Sequence, residues 1–73
     1  MAMRVGVVGA GGRMGRAVCA AVHAADDLEL VAAVGRSAAG ETIEGVVVAE
    51  QLRALADAGV DVAVDVRSLR QVA

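Results

Sequence analysis

Three glycines recur at every third position where an apolar run gives way to a helical pattern. They are Gly9, Gly12 and Gly15, a G-x-x-G-x-x-G spacing; the G-x-G-x-x-G spacing read from Gly9 fails because its last position is Met14. One such glycine permits a sharp turn, another lets the backbone approach a ligand, and the third lets a helix pack closely on a strand. Free N–H groups at the helix start would face an anion. The spacing predicts that residues 9–15 bind the diphosphate of a nicotinamide dinucleotide.

Two arginines in the first helical turn support this prediction. Arg13 and Arg16 place positive charge at a helix N-terminus, which opposes the helix dipole by a few tenths of a kcal/mol. A bound phosphate would make the same charges favourable. The alternative is an ordinary tight turn with two solvated arginines.

The residues at the end of the second predicted strand indicate which nucleotide binds. Dinucleotide-binding folds often place an acid there, about 20 residues after the glycines, for the ribose 2′-hydroxyl. Residues 34–37 contain no acid but do contain Arg36 and Ser37. Because an arginine pairs with a 2′-phosphate, we expect NADP(H) as cofactor, with NAD(H) as the weaker candidate. The alternative is a surface arginine in a loop.

The elements that would position these residues alternate between strands and helices. The pattern predicts strands at residues 4–8, 28–34, 46–48 and 60–66, helices at 13–25 and 50–58, a loop at 38–45, and a further helix capped by Ser68. Strands that alternate with helices imply a mainly parallel sheet. The predicted fold class is α/β, a Rossmann-like sheet of about one βαβ mononucleotide-binding half, and incomplete.

The two main helices each present an apolar stripe in this prediction. The first stripe consists of Met14, Val18, Ala21, Val22 and Ala25, with Arg16 and His23 on the opposite side and Asp26–Asp27 after the helix. The second stripe consists of Leu52, Leu55 and Ala56, and Gly59 suits the position after that helix.

Composition limits the kind of protein further. The 73 residues are 58% hydrophobic yet contain no aromatic side chain, which indicates part of a larger core. Residues 1–73 are therefore interpreted as a partial dinucleotide-binding domain, without a linker to a second domain. Half of a doubly wound sheet leaves an apolar strand edge, so we expect self-association through that edge.

Charge and cysteine content exclude several classes of partner. The net charge is −2 and the seven arginines are scattered, so we expect no nucleic-acid partner. No apolar run approaches the roughly 18 residues of a membrane span or resembles a signal peptide. A single cysteine, Cys19, cannot form an internal disulfide and suits the reducing cytoplasm.

Other residues with reactive side chains have simpler interpretations. His23 is expected to be solvated, and Cys19 to be a small packing residue. The pair Asp26–Asp27 offers too few ligands for a metal and suits a turn. Asp61 is expected to face water, whereas Asp65 ends its strand at the sheet edge where ligands bind, and is the better functional candidate.

The segment V-G-A-G-G-R-M-G-R, residues 8–16, resembles the N-terminal signature of the 4-hydroxy-tetrahydrodipicolinate reductase (dihydrodipicolinate reductase) family. Residues 26–33, 45–48 and 60–65 are similar to the family's second, third and fourth strands, so the resemblance covers nearly all of the chain. It implies an NAD(P)H-dependent oxidoreductase of lysine and diaminopimelate biosynthesis, which is a homo-oligomer when complete.

The resemblance also implies a set of cofactor-binding residues. The segment that wraps the diphosphate corresponds to Gly9, Ala10, Gly11, Gly12, Arg13 and Met14, and Arg36 corresponds to the family arginine near the adenosine ribose. Gly35 stands where many members have an acid, which predicts weaker NADH binding. Asp65 matches the Asp of the family's Asp-Phe-Thr motif, but Val66 and Arg67 replace the Phe and Thr on its nicotinamide side.

The family's Gly-Thr-Thr-Gly segment, His-His motif and catalytic lysine have no counterpart in these 73 residues, which contain no lysine at all. We therefore assign no catalytic or metal-binding residue, leave enzymatic activity open, and expect no reductase turnover from this chain alone. Two alternatives stay open: a stand-alone nucleotide-binding or interaction module, and the front of another dehydrogenase, such as aspartate or homoserine dehydrogenase.

Overall fold

A computed structural model of the chain describes residues 2–69. In chain order the elements are β1 (Met3–Val8), α1 (Arg13–Ala24), β2 (Leu28–Val34), β3 (Thr42–Ile43), β4 (Val46–Val47), α2 (Arg53–Ala58), β5 (Val62–Asp65) and α3 (Val66–Leu69). Strands β1, β2 and β5 form one sheet in the order β2-β1-β5, with both pairings parallel. The predicted Rossmann-like α/β fold, with a partial parallel sheet, is therefore confirmed.

The register of the sheet brings three strand ends together. Val8, the last residue of β1, lies between Val34 of β2 and Asp65 of β5. Chain segments that leave these strands therefore begin side by side at one edge of the sheet. This is the carboxyl edge, where ligands bind in open parallel sheets.

The core is small and aliphatic. Strands β1 and β2 are nearly continuous apolar runs because residues on both of their faces are covered, as in other parallel sheets. The buried hydrophobic cluster contains Val5, Val7, Ala10, Cys19, Val22, Leu30, Ala33, Ala38, Ile43, Val48 and Val66. It joins the sheet, α1 and the segment that includes β3 and β4.

Helix α1 packs with a different face from the one predicted. Its buried residues are Gly15, Cys19 and Val22, while Val18 is half-buried and Met14 is 52% exposed. Small residues lie on several sides of this helix, so hydrophobicity alone does not define the face. Gly15 defines it, because only a glycine can lie against the turn that precedes the helix.

The segment predicted as a loop, residues 38–45, instead contains β3. It pairs antiparallel with β4, through a two-residue turn in which Glu44 and Gly45 both have positive φ, 50° and 80°. Two such residues in succession are the backbone requirement of a tight hairpin turn, and glycine meets it without strain. The predicted strand at 46–48 thus belongs to this hairpin, and a bridge between Ala49 and Val34 pairs the segment with the parallel sheet.

The remaining differences concern the second half of the chain. Helix α2 begins at Arg53, not at residue 50, and ends at Ala58; Gly59 follows it in a left-handed conformation, which agrees with the prediction that a glycine suits this position. None of its residues is fully buried, and Leu52 lies before it with 53% of its surface exposed. Ser68 lies inside α3, which starts at Val66, so Ser68 is not the cap of this helix. The rest of that predicted helix lies outside the described residues.

Candidate functional site

The glycine turn connects the end of β1 to α1 and is fixed to the end of β2. Gly9 has φ 85°, a left-handed conformation that favours glycine. The backbone N–H groups of Gly9 and Ala10 both donate to the carbonyl oxygen of Val34, at 2.8 and 3.0 Å. The turn is therefore positioned by the strand beside it as well as by its own sequence.

Gly12 and Gly15 have different roles in this turn. A Cβ at Gly15 would overlap the carbonyl oxygen of Gly9 and approach Cα of Ala10, so Gly15 allows the helix to pack against the turn. A Cβ at Gly12 would meet no atom closer than 3.9 Å. Packing therefore explains Gly15, whereas Gly12 leaves backbone open beside a cleft.

The first turn of α1 is open to a ligand. Gly12 is its N-cap residue and makes no side-chain cap, and the turn contains no acidic residue. Within residues 2–69, no acceptor is present for the backbone N–H groups of Gly11, Arg13 and Met14. These donors and the helix dipole create the electrostatic environment that binds phosphate in other proteins.

A cleft of about 900 Å³ lies at this edge of the sheet. One wall is the glycine turn and the start of α1, and a second is the segment after β2. The third wall is formed by residues before α2 and by the start of α3. Its lining consists of Val8, Gly9, Gly11, Gly12, Arg13, Met14, Gly15, Val34, Gly35, Arg36, Ser37, Glu50, Gln51, Leu52, Val66 and Arg67.

Six of the seven predicted cofactor-binding residues line this cleft: Gly9, Gly11, Gly12, Arg13, Met14 and Arg36. The seventh, Ala10, is fully buried and its N–H group is bonded to Val34, so it supports the turn from behind. Within the described part of the chain neither Arg13 nor Arg36 is paired with a carboxylate. Both guanidinium groups remain available to an anion.

Arg16 differs from its neighbour Arg13. It does not line the cleft, and its guanidinium binds the carbonyl oxygen of Gly11 at 3.2 Å and the Glu41 carboxylate at 3.0 Å. Of the two first-turn arginines whose charges a bound phosphate would make favourable, Arg13 lines the cleft and Arg16 does not.

The segment after β2 packs closely on the glycine turn. A Cβ at Gly35 would lie 3.2 Å from the Gly11 nitrogen, and a Cβ at Gly11 would lie 2.8 Å from atoms of both Ser37 and Ala38. Gly35 and Gly11 therefore allow two backbones to approach each other, with Arg36 and Ser37 exposed at the cleft.

Three lining residues of the third wall were not recognised in the sequence. Glu50, Gln51 and Leu52 were assigned to a helix, but they precede it and reach the cleft because Ala49 pairs with Val34. The only available signal was their position immediately after a short apolar run.

Asp65 and Arg67 form an ion pair beside this wall. The Asp65 carboxylate accepts from Nε of Arg67 at 3.0 Å, from Nη2 at 3.1 Å, and from the Arg67 backbone N–H at 3.0 Å. The hydrogen bonds that the Arg67 guanidinium donates to the Asp65 carboxylate, together with the negative charge of Asp65, raise the pKa of Arg67. Asp65 thus lies at the carboxyl edge, as predicted, and holds Arg67 at the cleft.

The other reactive side chains lie elsewhere. Cys19 is fully buried, and burial raises its thiol pKa above the usual value; the negative charge of Glu44 raises it further, and Arg16 partly offsets this. His23 is exposed, 3.7 Å from the Glu44 carboxylate. Across residues 2–69 no group of three potential ligands could hold a metal ion. No helix within the same range is long and apolar enough to cross a membrane.

Comparison with known proteins gives a consistent assignment. The sequence profile of the family described as "Dihydrodipicolinate reductase, N-terminus" matches residues 3–72. A 4-hydroxy-tetrahydrodipicolinate reductase of Nocardia farcinica is 64% identical over 42 residues, 58% of this chain and 17% of the relative. Enzymes of the same name are 42% identical over 65 residues in Corynebacterium aurimucosum (89% of this chain, 21% of the relative) and 44% over 63 in Streptomyces coelicolor (86% and 20%).

The matched region spans about a fifth of the length of these relatives. No solved structure has significant similarity to the chain. The profile covers almost the whole chain, including the glycine turn and all strands of the parallel sheet, so the resemblance seen in the sequence is confirmed. This chain belongs to the dihydrodipicolinate reductase family and corresponds to the N-terminal region of that family.

Proposed function

We propose that the chain binds NADP(H) in the cleft between the glycine turn and the segment after β2, and that it is the cofactor-binding part of a 4-hydroxy-tetrahydrodipicolinate reductase. The observation that carries this proposal is the open first turn of α1. The N–H groups of Gly11, Arg13 and Met14, which have no acceptor within residues 2–69, lie at the rim of a cleft of about 900 Å³, and Gly12 adds no side chain there.

The turn suits the diphosphate of a dinucleotide. Backbone N–H groups bind phosphate oxygens directly, and the absence of an acid from the first helical turn removes electrostatic repulsion. Arg13 adds a positive charge on the same side of the cleft. Gly9 to Met14 would therefore hold the diphosphate, with Ala10 fixing the turn from behind.

The segment after β2 suits a ribose that carries a 2′-phosphate. Arg36 lines the cleft without a carboxylate partner among the described residues, and Ser37 supplies a hydroxyl group beside it. Gly35 supplies no carboxylate that would repel a phosphate or bind the two hydroxyl groups of NADH. We infer that NADPH binds more tightly than NADH.

The reduced nicotinamide supplies a hydride when it is bound. The residues of this chain contribute binding and orientation of the cofactor, and we assign none of them a catalytic role. Arg67, held by Asp65, would lie on the side of the cleft opposite Arg36. Reduction of dihydrodipicolinate is proposed only for the family's whole polypeptide, because the matched region spans about a fifth of each relative.

Titration calorimetry of the chain with NADPH and with NADH tests this proposal. We expect NADPH to bind more tightly, and Arg36→Gln to weaken NADPH binding by about tenfold or more while changing NADH binding little. Arg53→Gln is the matched control, because it removes one exposed positive charge from a residue that does not line the cleft. The proposal would be overturned if neither NADPH nor NADH binds, or if the chain clearly prefers NADH.

A further inference from the structure

The guanidinium group of Arg16 links two separate walls of the cleft from behind. Its Nε donates to the carbonyl oxygen of Gly11 at 3.2 Å, and its Nη2 donates to Oε1 of Glu41 at 3.0 Å. Gly11 belongs to the turn proposed to hold the diphosphate. Glu41 belongs to the segment that begins with Arg36, proposed to hold the ribose phosphate.

Each of the two walls is itself well fixed. The Glu41 N–H group donates to the Ala38 carbonyl at 2.9 Å, and the Glu41 carbonyl accepts from Val48 at 2.7 Å. The backbone N–H group of Arg16 donates to Gly12 at 2.9 Å, which fixes the origin of its side chain. The guanidinium therefore joins two ordered backbones, and its geometry influences the separation between them.

The two walls also contact each other directly, and this contact leaves no room for an added methyl group. A Cβ on Gly11 would lie only 2.8 Å from Ser37 Oγ and from Ala38 Cβ. A small movement of the turn therefore changes its position relative to the residues that follow Arg36. The Arg16 bridge spans this contact, and Arg16 itself is not among the residues that line the cleft.

Arginine is suited to this task for a geometric reason. Its planar fork has several N–H donors with fixed relative directions, so one side chain can bind a carbonyl and a carboxylate together. The ammonium group of lysine is a single point charge on a flexible stem and does not impose the same spacing. The Arg16–Glu41 pair is about half exposed, at 46% and 54% of the side-chain surfaces, so its effect is moderate.

We propose that Arg16 is a positioning residue that, together with Glu41, sets the distance between the diphosphate-binding turn and the Arg36 segment. This inference rests on the proposed function. A ligand that spans both walls depends on their separation, whereas a ligand that occupies one wall does not. Arg16 should therefore matter for a whole dinucleotide far more than for either of its anionic parts.

Three ligands separate these effects: NADPH, inorganic pyrophosphate and adenosine 2′-monophosphate. NADPH engages both walls, pyrophosphate engages the turn alone, and adenosine 2′-monophosphate engages the Arg36 segment alone. We expect Arg16→Gln to weaken NADPH binding by about tenfold and to change the affinity for each small ligand by less than twofold. Arg16→Lys should give an intermediate loss. Arg53→Gln controls for the loss of one positive charge, and circular dichroism controls for folding.

Glu41→Gln distinguishes positioning from simple charge. If Arg16 acts only by its positive charge, removing the negative charge of Glu41 raises the affinity for NADPH. If the bridge positions the two walls, the same substitution lowers the affinity for NADPH, and the double variant with Arg16→Gln loses little more than Arg16→Gln alone.

Equal losses for all three ligands, or tighter NADPH binding by Glu41→Gln, would overturn the positioning role. If Arg16→Gln fails to fold, Arg16→Lys and Glu41→Gln provide the same comparison. The unsubstituted chain separates this inference from the proposed function. If that chain binds neither NADPH nor pyrophosphate, both fail, whereas NADPH binding that is insensitive to Arg16 and Glu41 overturns the positioning role alone.

Discussion

Gly15 lies so close to Gly9 that a methyl group at position 15 would overlap the Gly9 carbonyl oxygen. The obstructing atoms belong to the backbone, so no side-chain rotation can relieve the overlap. We expect Gly15→Ala to lower the free energy of unfolding by about 1–3 kcal/mol, as overpacked positions do. Thermal and urea unfolding followed by circular dichroism measure this loss.

Gly12→Ala is the matched comparison for that substitution. Its methyl group would meet no atom closer than 3.9 Å, and its φ of −77° suits alanine. Stability should therefore stay within about 0.5 kcal/mol of the parent, while NADPH binding weakens because the methyl group occupies the face offered to phosphate. Equal stability loss in both variants would contradict the different roles given to these two glycines.

Gly35→Asp should change the preference between the two nicotinamide dinucleotides. A Cβ there would lie 3.2 Å from the Gly11 nitrogen, beside Arg36, so the new carboxylate would be close to a 2′-phosphate. We expect NADPH affinity to fall by about tenfold and NADH affinity to rise, since a carboxylate repels phosphate and accepts from ribose hydroxyls. Ala39→Asp, which adds the same charge outside the cleft lining, should leave the ratio of the two affinities unchanged.

Arg4 connects the start of β1 to the end of α2. Its Nη2 and Nε donate to the carbonyl oxygens of Ala58 and Gly59, at 2.6 and 3.0 Å. The positive charge also lies at the negative end of the helix dipole. Because α2 has no buried residue of its own, Arg4→Ala should lower Tm by about 5 °C.

Arg53→Ala provides the comparison for Arg4, because Arg53 begins the same helix, where a positive charge opposes the dipole. We expect Tm to be unchanged or slightly higher in that variant. An equal decrease of Tm in the two variants would show that the contacts of Arg4 with α2 are unimportant.

Cys19 should be unreactive in the folded chain. Its side chain is fully buried, and burial, followed by the charge of Glu44, raises its thiol pKa. Ellman's reagent should therefore react with Cys19 only after denaturation. Rapid reaction of the folded chain at neutral pH would contradict the packing role.

The raised thiol pKa of Cys19 predicts how the free energy of unfolding depends on pH. Above about pH 8.5 the unfolded chain loses the thiol proton before the folded chain does, so unfolding becomes easier as pH rises towards the raised pKa. The chain contains no Lys or Tyr, so no other side chain titrates between this pH and the range of arginine. Urea unfolding from pH 8 to 11 should show the decline, and Cys19→Ala should remove it.

Local residue patterns correctly predicted the parts of the fold whose conformation depends on residues that are close together in the chain. The boundaries of β2 and the start of α1 agreed with the prediction, because a continuous apolar run and a glycine turn impose their own conformation. The strand at 46–48 was predicted, but β3 and its pairing with β4 were not, since strands of two residues carry almost no periodic signal. Its turn depends on the positive φ of Glu44 and Gly45, of which only the glycine is suggestive in a sequence.

The sequence by itself determined the glycine turn, the alternation that makes the sheet parallel, and the arginine that follows β2, because each depends on residues close together in the chain. Tertiary structure decided which helix face is buried, which of the two first-turn arginines faces the cleft, and that Glu50, Gln51 and Leu52 complete its wall. These outcomes depend on contacts between distant segments, such as Gly15 against Gly9 or Arg16 against Glu41. Their distances follow from packing, and no local pattern of residue types encodes them.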